Sequence, residues 1–200
     1  MARIAIVYHS GYGHTAKVAE HVRKGAATSG ADVRLYKAED LSAPDKGPWA
    51  ELAAADAIIF GAPTYMGSVS AAMKQFIDAS SKVWMSRAWE NKLAAGFTTS
   101  GSLSGDKQVT LQQLATFAAQ QGMIWVGNSL PTGYNASGHD FGTAINRAGF
   151  FLGLGTQSLV DLPAEQTPDD PDLKTAELFG RRVAEATLRW ARVPAEPALA

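Results

Sequence analysis

Two uninterrupted apolar runs rich in β-branched residues, Ile4 to Tyr8 and Ala57 to Phe60, stand out along the chain. Short runs of this kind bounded by Gly or Pro predict strands buried on both faces. Val33-Arg34-Leu35-Tyr36 alternates apolar with polar, as an edge strand does, and Leu93 to Thr98 and Met123 to Val126 complete a set of five. Between these runs the apolar residues recur at spacings of three and four, which predicts amphipathic helices. One stripe is Thr15, Val18, Ala19, Val22 and Ala26; a second is Val69, Ala72, Met73, Phe76 and Ile77. Leu111, Leu114, Ala115 and Ala118 form a third, and Ala176, Phe179, Val183, Ala186 and Trp190 a fourth. Pro48 suits the first position of a short helix ending near Ala55.

Strand and helix in alternation imply right-handed crossovers and a doubly wound α/β fold, a parallel sheet with helices on both faces. Five strands fit the flavodoxin-like order 2-1-3-4-5, which puts a ligand crevice beyond the C-terminal ends of strands 1, 3 and 4. Residues 128–171 are the least regular stretch, broken by six glycines from Gly133 to Gly155, and Ala164 to Pro171 reads as a Pro/Asp linker into the last helix. The expected organisation is one domain over residues 1–192 with a frayed tail at 193–200.

Composition narrows the function classes. Two hundred residues with 46% hydrophobic and 18% charged are a folded domain and not a disordered chain. Lys+Arg 18 against Asp+Glu 19 leaves a net charge of -1, without the basic excess of a nucleic-acid binder or the strong acidic excess of many electron carriers. Cysteine is absent, so disulfides and thiolate chemistry are excluded. No apolar run approaches the roughly 20 residues of a membrane helix, and the N-terminal segment lacks a signal-peptide core, so a cytoplasmic location is expected. His14 and His21 are not at the i, i+4 spacing of a helical zinc pair, and no metal is expected.

Chemistry concentrates in the three loops at the predicted crevice. The first, His9-Ser10-Gly11-Tyr12-Gly13-His14-Thr15, runs straight into a helix. It offers free backbone N–H groups, a helix N-terminus and the hydroxyls of Ser10 and Thr15, a set that suits a phosphate held by neutral donors. It is neither a Walker loop nor G-x-G-x-x-G, and an ordinary turn capped by Ser10 or Thr15 is the alternative. The second holds Pro63, Thr64, Tyr65, Met66 and Gly67, where the aromatic and thioether groups give a flat ligand a broad surface. The third holds Thr99, Ser100, Gly101, Ser102, Leu103 and Ser104. Between Ser10 and Thr15, Pro63 and Gly67, and Thr99 and Ser104 there is no Asp, Glu, Lys or Arg. That argues against metal hydrolysis and carboxylate catalysis and for a bound cofactor that carries the chemistry, with no catalytic side chain of its own.

These residues resemble the flavodoxin-like NAD(P)H:quinone oxidoreductases of the tryptophan-repressor-binding-protein (WrbA) type. The resemblance spans Ile4 to Gly127 and rests on Tyr12-Gly13-His14-Thr15, Asp56 to Thr64, Lys92-Leu93-Ala94 and Gly122-Met123. It implies non-covalent FMN, with its phosphate on Ser10 to Thr15 and its ring against Thr64-Tyr65-Met66 and Thr99 to Ser104. NADH or NADPH would be the donor and a quinone the acceptor, in a two-electron, ping-pong cycle. Tyr12 and Trp84 would meet the substrate, Trp84 from another subunit of a homodimer or homotetramer whose interface is expected at the apolar patch Val83, Trp84, Met85 and Trp89. The chain departs from the family in a shorter segment after strand 2, in Gln120-Gln121 where the family has His near the flavin, and in the 128–155 loop. A flavodoxin-type one-electron carrier and a non-enzymatic interaction domain are the alternatives.

Overall fold

The computed structural model describes residues 1–191. Chain order is β1 (Arg3–Tyr8), α1 (His14–Ala27), β2 (Asp32–Lys37), a 3-10 turn (Ala38–Leu41), α2 (Trp49–Ala53) and β3 (Ala57–Tyr65). β4 (Ser68–Val69), α3 (Ala71–Ala79), α4 (Ser81–Met85), β5 (Leu93–Ser100) and α5 (Lys107–Gln120) follow. β6 (Ile124–Trp125), β7 (Leu154–Gln157) and α6 (Asp170–Trp190) complete the described chain. The tail predicted at 193–200 lies outside the described residues.

The sheet runs β2-β1-β3-β5-β6 with all these pairs parallel, the 2-1-3-4-5 arrangement that the periodicity predicts. Successive strand residues serve opposite faces. Ile4, Ile6, Ala57 and Ile59 pack under α1 and α6 with Val18, Val22, Phe179 and Val183. Ala5, Val7, Ile58 and Phe60 pack on the other face with Met73, Phe76, Leu114 and Phe117. Trp49, Phe76 and Trp89 stack within that second layer, with Trp49 and Phe76 ring centroids 5.6 Å apart. On the first face, α1 and α6 meet backbone to backbone. A Cβ on Gly180 would lie 2.0 Å from the Val22 carbonyl oxygen, and one on Gly25 would lie 1.8 Å from that of Glu177.

The fifth strand differs from the expectation. It comes in two collinear halves on the same side of β5: β6 pairs at Leu93–Ile124 and Ala94–Trp125, and β7 at Phe97–Leu154 through Ser100–Gln157. Residues 126–153 leave and rejoin the sheet between the halves. Gly153 permits the return, because a Cβ there would sit 2.4 Å from the Gly96 carbonyl oxygen. β7 is short, contains Gly155 and lies in a glycine-broken stretch, so it carries no periodicity to read. The helix expected from Val69 begins at Ala71 instead, with the Ser70 hydroxyl accepting from the Met73 N–H at its cap. α6 begins at Asp170, six residues before its apolar stripe, with Pro171 in its first turn.

Candidate functional site

The strands are parallel, so β1, β3 and β5 deliver their following loops to one edge of the sheet. There a cavity of ≈ 650 Å³ opens, in the size range of small-molecule sites. Tyr12, His14 and Thr15 line it from the first loop, Pro63, Thr64 and Tyr65 from the second, and Thr99, Ser100 and Gly101 from the third. A neighbouring hollow of ≈ 510 Å³ shares Thr64, Ser100 and Gly101 and adds Met66, Gly67 and Ser102. All three predicted loops are therefore brought together. Ser10, Gly11, Gly13, Leu103 and Ser104 belong to the same loops without lining either space.

The first loop leaves its donors open. Gly13 stands at the cap of α1 in the left-handed region, φ 89°, and no side chain caps the N-terminal N–H groups through it. The Ser10 hydroxyl oxygen accepts from the Ala16 N–H at 3.0 Å. Among the described residues, the N–H groups of Gly11 to Thr15 and the buried Thr15 hydroxyl have no acceptor or donor partner within the chain. Tyr12 and Tyr65 meet edge to face at 6.4 Å above this loop. Burial, reinforced by Tyr12 beside it, pushes the Tyr65 phenol above its ordinary pKa.

The second loop is a two-residue hairpin between β3 and β4, with Met66 and Gly67 both at positive φ (47° and 74°). This geometry normally selects Asn-Gly, yet here it holds a fully exposed methionine at the rim. Beneath it the Thr64 hydroxyl bonds those of Thr98 and Thr110, each at 2.8 Å. In the third loop the Thr99 hydroxyl bonds Ser158 at 2.8 Å.

Four features escape the loop-by-loop sequence reading. The first is the far wall of the cavity, formed by Ser158, Val160, Leu162 and Pro163. This wall belongs to the irregular stretch just before the expected linker, and both are tied to α1. His14 Nε2 donates to the Leu162 carbonyl at 2.9 Å, and the Lys17 ammonium donates to the Glu165 and Pro168 carbonyls. The second is a pair of carboxylates at the smaller hollow, Asp106 and Asp161. The crevice rim thus carries carboxylates just outside the three loops. The third is Lys107, fully buried behind the third loop; burial lowers its pKa to about 8. The fourth is His9, whose Nδ1–H donates to Glu39 at 2.6 Å at the end of β1. Only the wall leaves a signal in the sequence, the apolar Leu159, Val160 and Leu162 set between polar residues.

Trp84 stands elsewhere. It lies half-exposed in α4, near the end of the sheet where β5 begins, and lines neither hollow of its own chain. Met85 beside it is exposed, but Trp89, expected in the same surface patch, is fully buried in the aromatic layer. Gln121 is buried at the C-terminal cap of α5, donating to the Ser80 hydroxyl at 2.8 Å, also away from the crevice.

Comparison with known proteins supplies the family. The NADPH-dependent FMN reductase family matches residues 3–136. The chain belongs to this family. The chain is 42% identical over 185 residues to flavodoxin FldP of Pseudomonas aeruginosa, covering 92% of this chain and 96% of that protein. It is 33% identical over 204 residues to an NAD(P)H dehydrogenase (quinone) of Archaeoglobus fulgidus, covering 92% and 97%. The crystal structure of a flavodoxin, WrbA-like protein from Agrobacterium tumefaciens superposes with TM-score 0.69 at 40% identity, covering 94% of this chain and 99% of that one. The chain is accordingly an FMN-dependent oxidoreductase of the FMN reductase family with NAD(P)H as electron donor. The residues present fit that cofactor: open N–H groups and a free hydroxyl suit a phosphate, and the apolar rim of Tyr12, Met66 and Val160 suits a planar ring.

Proposed function

We propose that this chain, a single domain over residues 1–192, passes two electrons from NAD(P)H to a quinone in ping-pong fashion. The observation that supports this most is the convergence of three loops of neutral donors on one cavity. FMN supplies the electron-transfer chemistry when bound; the chain binds, orients and shields it. Ser10 to Thr15 hold the phosphate through backbone N–H groups and the Thr15 hydroxyl. Pro63 to Gly67 and Thr99 to Ser104 flank the ring. With Tyr12 and Met66 exposed at the rim, donor and acceptor would share one approach to the ring and use it in turn, which is the reason to expect ping-pong kinetics. The exposed Trp84 and Met85 on α4, a helix with no buried residue, support a homodimer or homotetramer in which Trp84 covers the partner's crevice.

A second reading, a flavodoxin-type carrier, draws support from the name of the Pseudomonas aeruginosa relative and from the Tyr12–Tyr65 pair at the cavity. Stopped-flow with NADPH and a quinone separates the two. Rapid turnover with parallel double-reciprocal plots is expected; slow turnover with a long-lived one-electron state would favour the carrier. In the shared-crevice assembly, Trp84→Ala lowers quinone turnover more than FMN affinity. A monomer by light scattering at micromolar concentration, with full activity, would return Trp84 to a purely local role.

A further inference from the structure

Lys107 is the first residue of α5 and has no solvent exposure. Its ammonium donates to the Ser102 carbonyl and, at 3.1 Å, to the Leu103 carbonyl. Among the described residues no carboxylate lies within ion-pair distance of it. Asp172 on α6 acts on it from further away but is already engaged, accepting from Arg147 at 3.0 Å and from the Gln157 N–H at 2.6 Å. A buried cation without a counter-ion is costly. Its position at the positive end of a helix dipole adds to that cost. A Met would fill the same space without either penalty.

What the lysine does for its surroundings is geometric. A trans peptide points its C=O and N–H in opposite directions. Drawing the Ser102 and Leu103 carbonyls inward therefore turns the N–H groups of Leu103 and Ser104 outward. Neither N–H has an acceptor among the described residues. The next two residues, Gly105 and Asp106, are both at positive φ (50° and 56°), so the loop doubles back tightly onto the lysine. Successive outward N–H groups make a concavity for electron-rich oxygen and nitrogen, and although Leu103 and Ser104 do not line the smaller hollow, their neighbours Ser102 and Gly105 do.

We propose that Lys107 is a positioning residue for the flavin: it shapes the Gly101–Gly105 loop into a donor edge for the ring, and its charge makes the site prefer the reduced, more electron-rich cofactor. This rests on the reading of Thr99 to Ser104 as a ring-contacting loop. No bond is made or broken by Lys107; its effect is a difference in affinity between two states of one ligand.

The test uses the FMN-loaded protein and two variants. Lys107→Gln keeps a hydrogen-bond donor and removes the charge; Lys107→Met removes both. Two quantities are read, the Kd for oxidised FMN and the two-electron midpoint potential of the bound cofactor. For Lys107→Gln the oxidised Kd should stay within about threefold, while the preference for reduced FMN falls about tenfold, a shift of about 30 mV to more negative potential. Lys107→Met should show the same shift and also weaken oxidised FMN several-fold. A wild-type potential in both variants, with FMN still bound, overturns the inference and leaves the cofactor site standing. Failure of the unsubstituted chain to bind FMN overturns the site and the inference together. If neither variant folds, the intact holoprotein answers. The titrating groups around Lys107 are Asp172, the Arg147 paired to it, and Asp106. Burial lowers the pKa of the lysine to about 8, so it changes charge from pH 7.5 to 9. Reduction should therefore draw extra proton onto it, so the potential falls more steeply with pH than that of free FMN; parallel lines overturn the proposal.

Discussion

The two edges of the sheet both carry polar groups and use them in opposite ways. At the N-terminal edge a hollow of ≈ 270 Å³ is lined by Arg3, Asp32, Arg34, Tyr36 and Glu51. Here the polar groups satisfy one another. Arg34 bonds Glu51 at 3.1 Å, the Tyr36 hydroxyl donates to the same carboxylate at 2.7 Å, and the Arg3 N–H donates to Asp56 at 2.8 Å. Burial and the bond to Glu51 push the Tyr36 phenol up to about 12. At the C-terminal edge the three loops carry few charges, yet the N–H groups of the first loop and the Thr15 hydroxyl are left without partners. A hollow with charges is therefore not by itself a binding site. Donors that the fold leaves open mark the edge that takes a ligand.

Two glycines make the largest test of this contrast, because each is left-handed and only one is at the open edge. Gly13 (φ 89°) would bring a Cβ to 2.9 Å from that of Ala164, while Gly30 (φ 78°) faces open space at the turn into β2. Gly13→Asp places a negative charge where the phosphate is proposed to sit, and FMN affinity should fall at least about a hundredfold. Gly30→Asp should cost about 1 kcal/mol of stability and leave FMN affinity unchanged. Equal effects on FMN binding would erase the distinction between the edges.

Thr15→Ala should weaken FMN about tenfold, as expected for one hydrogen bond to a charged group. Riboflavin affinity, read in the same fluorescence titration, should not move.

Lys107 sharpens the comparison from the stability side, since it is a cost carried only at the functional edge. Lys107→Met should stabilise the cofactor-free chain by about 1–3 kcal/mol in urea unfolding, the usual gain when a buried charge gives way to apolar packing. The sign of the pH effect follows from its lowered pKa, about 8 against an ordinary 10.5. Between those values the unfolded chain holds a proton that the native chain has lost, so native stability rises with pH from about 8 to 10. Above about 10 Tyr36 opposes it, because there the native phenol keeps a proton that the unfolded one releases. The Met variant should lose the Lys107 share of the rise and keep only that of Lys92, whose pKa burial also lowers.

The smallest effect is expected at the N-terminal edge. Arg34 is exposed and its ion pairs are screened, so Arg34→Ala should shift the melting temperature by less than about 2 °C and leave FMN binding intact.

Much of this was legible in the sequence, and the part that was not has physical reasons. Ile4 to Val7 and Ala57 to Phe60 bury both faces, so their uninterrupted apolar runs announce central strands, and a parallel sheet then dictates which loops meet. The split fifth strand was not legible, because Leu154–Gln157 is only four residues long and contains a glycine, too short to show a period. The far wall of the cavity leaves only its short apolar run in the sequence, because it is held in place by backbone carbonyls: Leu162 accepts from His14 and Pro168, just beyond the wall, from Lys17, contacts that span 148 and 151 residues of sequence. Lys107 reads as an ordinary first-turn surface residue until the chain folds a loop over it. Trp89 reads as surface because it follows the exposed Trp84 and Met85, but its ring turns into the aromatic layer beside Trp49 and Phe60.

The central claim is that the open donors of the first loop anchor the cofactor by its phosphate. Titrating the cofactor-free protein with FMN and with riboflavin tests it most directly, since the two ligands share a ring and differ only in that group. The structure predicts FMN binding tighter by at least about tenfold, with the difference removed in Gly13→Asp. Equal affinity for the two ligands would contradict the account.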